Sequence, residues 1–124
     1  MKVYALALAV SLAVLFTAGE GLARPGQELN KVCLAGEGEG VDALTSFGIC
    51  LGYIEGVYDD GEYLDKNINK RQWDGGWVAC VPKAVTLGQF GEVVKKWLRE
   101  HPEKWHYNAS SLVAEALDKT WPCP

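Results

Sequence analysis

The stretch FGICLGYIEGVY, Phe47 to Tyr58, decides how the rest of the chain is read. Its apolar residues Phe47, Cys50, Leu51, Ile54, Val57 and Tyr58 recur at intervals of three and four, which places them on one side of an α-helix. Gly48, Gly52 and Gly56 gather on a different face of the same helix. Each glycine inside a helix costs about 1 kcal/mol against alanine, so the three together oppose it by about 3 kcal/mol. Something must offset that cost, and the usual device is another backbone lying against the bare strip. The pattern therefore predicts a central helix from about Val41 to Asp60, with Gly48, Gly52 and Gly56 as close-packing positions against a second helix of the subunit or across a dimer.

Working outward, the flanking sequence is helical too. VTLGQFGEVVKKWLREHP, Val85 to Pro102, sets Thr86 three residues before Gln89, the spacing of a capping box, with Val85 and Phe90 placed as a hydrophobic staple. Phe90, Val93, Val94, Trp97 and Leu98 then form one apolar face, and Pro102 stops the run. A last helix starts at the N-cap residue Asn108 and buries Leu112, Val113, Ala116 and Leu117 before Pro122. A short connection joins these two helices, so they are expected to pack antiparallel. An earlier helix spans about Gln27 to Leu34 and ends in GEGEG. From Glu62 to Ala79 there is no sustained period, and the turn signal Asp74-Gly75-Gly76 marks a partly ordered excursion. No stretch alternates apolar and polar residues as a strand would. The expected fold class is all-α, a small disulfide-stapled bundle of four to five helices.

The first residues are of another kind. Lys2 precedes an apolar run from Val3 to Phe16, and small residues follow as far as Ala23. This order reads as a secretory signal peptide over residues 1–23, leaving residues 24–124 as one exported helical domain. All four cysteines, Cys33, Cys50, Cys80 and Cys123, fall in that domain. An even number in a short exported chain implies two disulfides, and three pairings are open. Their spacing lacks the close ligand pairs of a structural zinc site. The formal net charge of −4 argues against nucleic acid, and no basic amphipathic helix suggests a membrane surface.

Chemistry has little to stand on. Asp59, Asp60, Glu62 and Asp65 do not follow the spacing of a calcium loop, and His101 and His106 lack partners that would complete a metal site. With the cysteines assigned to disulfides, no nucleophile and base set remains, so a binder is expected rather than an enzyme, with no cofactor and no metal. Asn108-Ala109-Ser110 matches a glycosylation sequon, but the same residues serve as a helix cap, and outside a eukaryotic source that structural reading is favoured. Exposed aromatics among charges are the usual anchors of an interface. Two candidate contact regions follow: Asp59, Asp60, Glu62, Trp73 and Trp77 on the long excursion, or Lys104, Trp105 and His106 between the last two helices.

CLGYIEGV at Cys50 to Val57, CVPKAVTLGQFGEVVKKWLREHPE at Cys80 to Glu103, and ASSLVAEALDKTWPC at Ala109 to Cys123 together resemble the Rap/Tai family of small exported bacterial immunity proteins. Trp121 stands where phenylalanine is commoner in that family, and residues 60–79 match least. The resemblance implies an all-helical periplasmic protein, often a homodimer, that binds a peptidoglycan amidase effector delivered by type VI secretion and occludes its cleft. It carries over no effector-contacting residue. A periplasmic binding or chaperone-like module without a toxin partner is the alternative, because a shared scaffold does not fix function.

Overall fold

A computed structural model describes residues 23–64 and 79–124. Four α-helices follow in order: α1 (Gly26–Ala35), α2 (Val41–Leu64), α3 (Leu87–Glu100) and α4 (Ala109–Thr120), with a short 3₁₀ turn, η1 (Pro102–Lys104), between the last two. No strand forms among the described residues, whose one β-type contact is an isolated bridge between Pro25 and Asn108. The all-α, disulfide-stapled bundle expected from periodicity is the fold observed.

Local sequence explains each boundary. At α3 the capping box is complete: the Gln89 amide N–H donates to Thr86 Oγ1 at 3.3 Å, and the Thr86 N–H donates to Gln89 Oε1 at 2.8 Å. This satisfies two of the donors that the first turn of a helix leaves unpaired. At α1 the same need is met by a neighbouring loop, since Gly26 N donates to Tyr107 O at 2.8 Å and Gln27 N to Trp105 O at 2.9 Å. Asn108 occupies the N-cap of α4 as its type suggests, but its side chain makes no capping bond. There the Ala109 N–H donates to Arg24 O instead, so the strand-like lead into α1 takes the place of a side-chain cap.

The buried faces meet in one core. Leu29 and Cys33 of α1, Cys50 and Ile54 of α2, Phe90, Val94, Trp97 and Leu98 of α3, and Leu112, Val113, Ala116 and Leu117 of α4 form a single cluster. The disulfide pairing, which sequence left open, is Cys33–Cys50 and Cys80–Cys123. The first staples α1 to α2; the second joins the segment entering α3 to the segment leaving α4. The halves are also tied by charge, because Glu37 in the α1–α2 turn reaches both Lys95 at 3.3 Å and Arg99 at 3.0 Å on α3.

The glycine strip is not where the described helices touch one another. Among the described residues, a side chain built at Gly48, Gly52 or Gly56 would meet no atom within 4 Å, and all three residues are exposed. The packing surface of α2 is its Cys50 and Ile54 side, and the other three helices lie there. Close backbone approach happens instead at Gly36, where an added Cβ would stand 2.8 Å from the backbone N and Cα of Phe47. Gly91 plays a related role on α3 by leaving room for the Leu51 side chain.

Candidate functional site

The surface of α2 divides into two regions. Its N-terminal half presents apolar groups to solvent: Val41 is 80% exposed, Leu44 71% and Ile49 47%. These flank the bare positions Gly48 and Gly52. Phe47 and Leu51 of the same helix border a groove of about 640 Å³ whose other walls are Val85, Val93 and Trp121, with the polar Thr86, Gln89 and Glu92 among its lining. An apolar ridge beside side-chain-free backbone is chemically suited to another protein surface, because burying it removes hydrocarbon from water. Sequence reading passed over Val41, Leu44 and Ile49. The signal was present, since they lie off the stripe that Cys50 and Ile54 define.

The C-terminal half of α2 is acidic. Glu55, Tyr58, Asp59 and Glu62 face Val81, Pro82, Lys83 and Leu87 across a second groove of about 400 Å³. Asp59 and Asp60 are exposed, whereas Glu62 is half-buried and accepts a hydrogen bond from Tyr58 Oη at 2.8 Å. Burial pushes the Tyr58 hydroxyl up to about 12, helped by that bond and by the negative charges of Glu62 and Asp59. The phenol therefore stays a neutral donor through the physiological range. Its ring stands edge-on to Phe90 at 5.1 Å, and Phe90 stacks on Trp121 at 5.8 Å, so aromatic contacts fix the groove floor. Trp73 and Trp77 lie outside the described residues.

The second expected contact region is largely turned inward. Lys104 pairs with Glu115 and sits 5.2 Å above the Trp97 ring. Trp105 packs against the core and donates from Nε1 to the Leu98 carbonyl at 2.8 Å, occupying one of the carbonyls left free at the end of α3. His106 alone of the three is exposed, with Tyr107 beside it at a ring separation of 4.1 Å. His101 is held against Trp97, its Nδ1 2.8 Å from the Trp97 carbonyl and its ring stacked on the indole at 4.2 Å. Structure thus brings Asp59, Asp60 and Glu62 together at one end of α2, and separates His106 from Lys104 and Trp105 by exposure.

No helix of the described residues is long and apolar enough to cross a membrane. Among known proteins, the family model described as Rap1a immunity proteins matches residues 25–123. No curated protein and no solved structure matches the chain.

Proposed function

The chain belongs to the Rap1a immunity protein family, and from that premise we propose that it is a periplasmic immunity protein that binds a type VI secreted peptidoglycan amidase effector and occludes its cleft. The observation that carries this reading is the extent of the family match, which takes in all four helices and both disulfides. Inhibition by occlusion asks only for a rigid scaffold and an exposed contact surface. Two disulfides suit an oxidising compartment such as the periplasm, and residues 1–23 would serve as the export signal.

The acidic end of α2 is the proposed effector contact. Asp59 and Asp60 project from a helix that Cys50 and Ile54 anchor in the core, so they are presented with little loss of backbone entropy on binding. The bare strip is proposed as the contact for a second copy in a homodimer. With two α2 helices antiparallel about Gly48, Leu44 of one faces Gly52 of the other, a knob against a site with no side chain. Reversing the charge of both Asp59 and Asp60 to lysine should weaken capture of the effector at least about tenfold, the usual effect of breaking electrostatic complementarity at a contact. The check is a pull-down with a purified type VI peptidoglycan amidase effector that the native chain captures, alongside the thermal midpoint of the variant. Unchanged capture by the folded variant would remove the acidic end from the contact.

A further inference from the structure

The two disulfides differ in what a reductant can reach. Cys33 and Cys50 are each 2% exposed and sit inside the core cluster with Leu29 and Ile54. Cys80 is exposed and Cys123 half-buried. Thiol–disulfide exchange requires a thiolate to approach one sulfur directly, so rates depend on access. A buried disulfide meets that condition only when the surrounding core opens, whereas an exposed one needs no opening.

The exposed disulfide also has a particular position. It joins the segment that enters α3 to the segment that leaves α4, and the Cys80 N–H donates to Trp121 O at 2.8 Å beside it. Val81, Pro82 and Val85, which follow Cys80, form one wall of the acidic groove, and Trp121 borders the apolar one. Neither Cys80 nor Cys123 belongs to the buried core; Ala79 beside Cys80 does, and Val81, Val85 and Trp121 pack against it, so the contacts that cutting the bond can loosen are those of these flanking segments and not those between the helices.

We propose that Cys80–Cys123 is a redox-sensitive latch: a dithiol reductant opens it while Cys33–Cys50 stays closed, releasing the wall shared by the two grooves without unfolding the bundle. In the first step a thiolate of the dithiol attacks Sγ of Cys80, forming a mixed disulfide and expelling the Cys123 thiolate. In the second, the remaining thiol of the dithiol, as its thiolate, attacks its own sulfur in the mixed disulfide and expels the Cys80 thiolate. The dithiol leaves as a disulfide, and the protein gains two thiols that take up protons from water. Re-oxidation by a disulfide of the same class closes the latch. This goes beyond effector binding, and its readouts need no effector.

The test is a dithiothreitol titration of the purified mature chain at constant pH, quenched by alkylation and mapped by peptide mass, with circular dichroism on each sample. Cys80 and Cys123 should be labelled at dithiol concentrations at least about tenfold below those that label Cys33 and Cys50, as expected when access separates two disulfides. Helical signal should be retained in the half-reduced species. Hydrogen exchange should rise over residues 80–86 and 119–123 and stay unchanged across α1 and α2. The Cys80→Ala/Cys123→Ala variant should reproduce that exchange pattern without reductant. Labelling of all four cysteines together, labelling of Cys33 and Cys50 first, or loss of helix in step with the first labelling would each overturn the proposal.

Discussion

Replacing both Cys33 and Cys50 by alanine should lower the free energy of unfolding by about 4 to 5 kcal/mol, from loss of ring-closure entropy and from the void left in the core. The bond closes a loop with a sequence separation of 17, and the entropy of such a loop in the unfolded chain corresponds to roughly 3 kcal/mol. Both sulfurs are buried among Leu29, Ile54 and their neighbours, so their removal also leaves unfilled space worth about 1 to 2 kcal/mol. Domains of this size are stable by only about 5 to 15 kcal/mol in total, so the variant should unfold at a visibly lower denaturant midpoint. Urea unfolding followed by far-ultraviolet circular dichroism measures it. A midpoint within error of the native chain would mean that the α1–α2 contact holds without its staple.

Glycine substitutions should separate into two opposite groups. Gly36→Val should destabilise by about 3 kcal/mol, the upper part of the range for forcing extra volume into a packed contact. Its Cβ would press on the Phe47 backbone, which cannot turn aside as a side chain can, so α1 and α2 must part. Gly52→Ala should instead stabilise the subunit by up to about 1 kcal/mol, because alanine is the better helix former and the position faces open space. Gly52→Phe should leave the subunit folded and, through the proposed homodimer contact, shift it from dimer to monomer in size-exclusion light scattering. A stabilising Gly36→Val, or a dimeric Gly52→Phe, would contradict this assignment of roles.

The contrast between these glycines shows where sequence reading stops. Spacing in Phe47–Tyr58 and Phe90–Leu98 was enough to place α2 and α3, because periodicity reports which residues share a face. The Thr86 and Gln89 pair marked the start of α3 because a capping box is a local interaction. What lies against a face is not local. The same strip of glycines reads identically whether another helix covers it or solvent does, and only the arrangement of α1, α3 and α4 on the Cys50 side leaves it bare among the described residues. Disulfide pairing was closed to sequence for the same reason.

The contact regions follow that logic. Trp105 was expected at an interface because it sits in a short loop among charges, but the free carbonyl of Leu98 lies within its reach and holds it inward. Lys104 is drawn to Glu115 eleven residues later, across the turn between α3 and α4. Asp59 and Asp60 remained outward because the apolar positions of α2 had already fixed which side the core occupies. Val41 and Leu44 carry no signal of their own in the spacing, because an apolar residue off the core stripe is read as a contact only once the helices show which side of α2 faces solvent.

In the function proposed here, the bundle silences a peptidoglycan amidase by covering it. The decisive measurement follows the release of soluble fragments from purified peptidoglycan by a type VI amidase effector that the chain captures, with and without the oxidised, mature chain. Release should fall to background at equimolar protein and return when Asp59 and Asp60 are both changed to lysine. Digestion at an undiminished rate in the presence of excess folded, disulfide-intact protein would contradict the account.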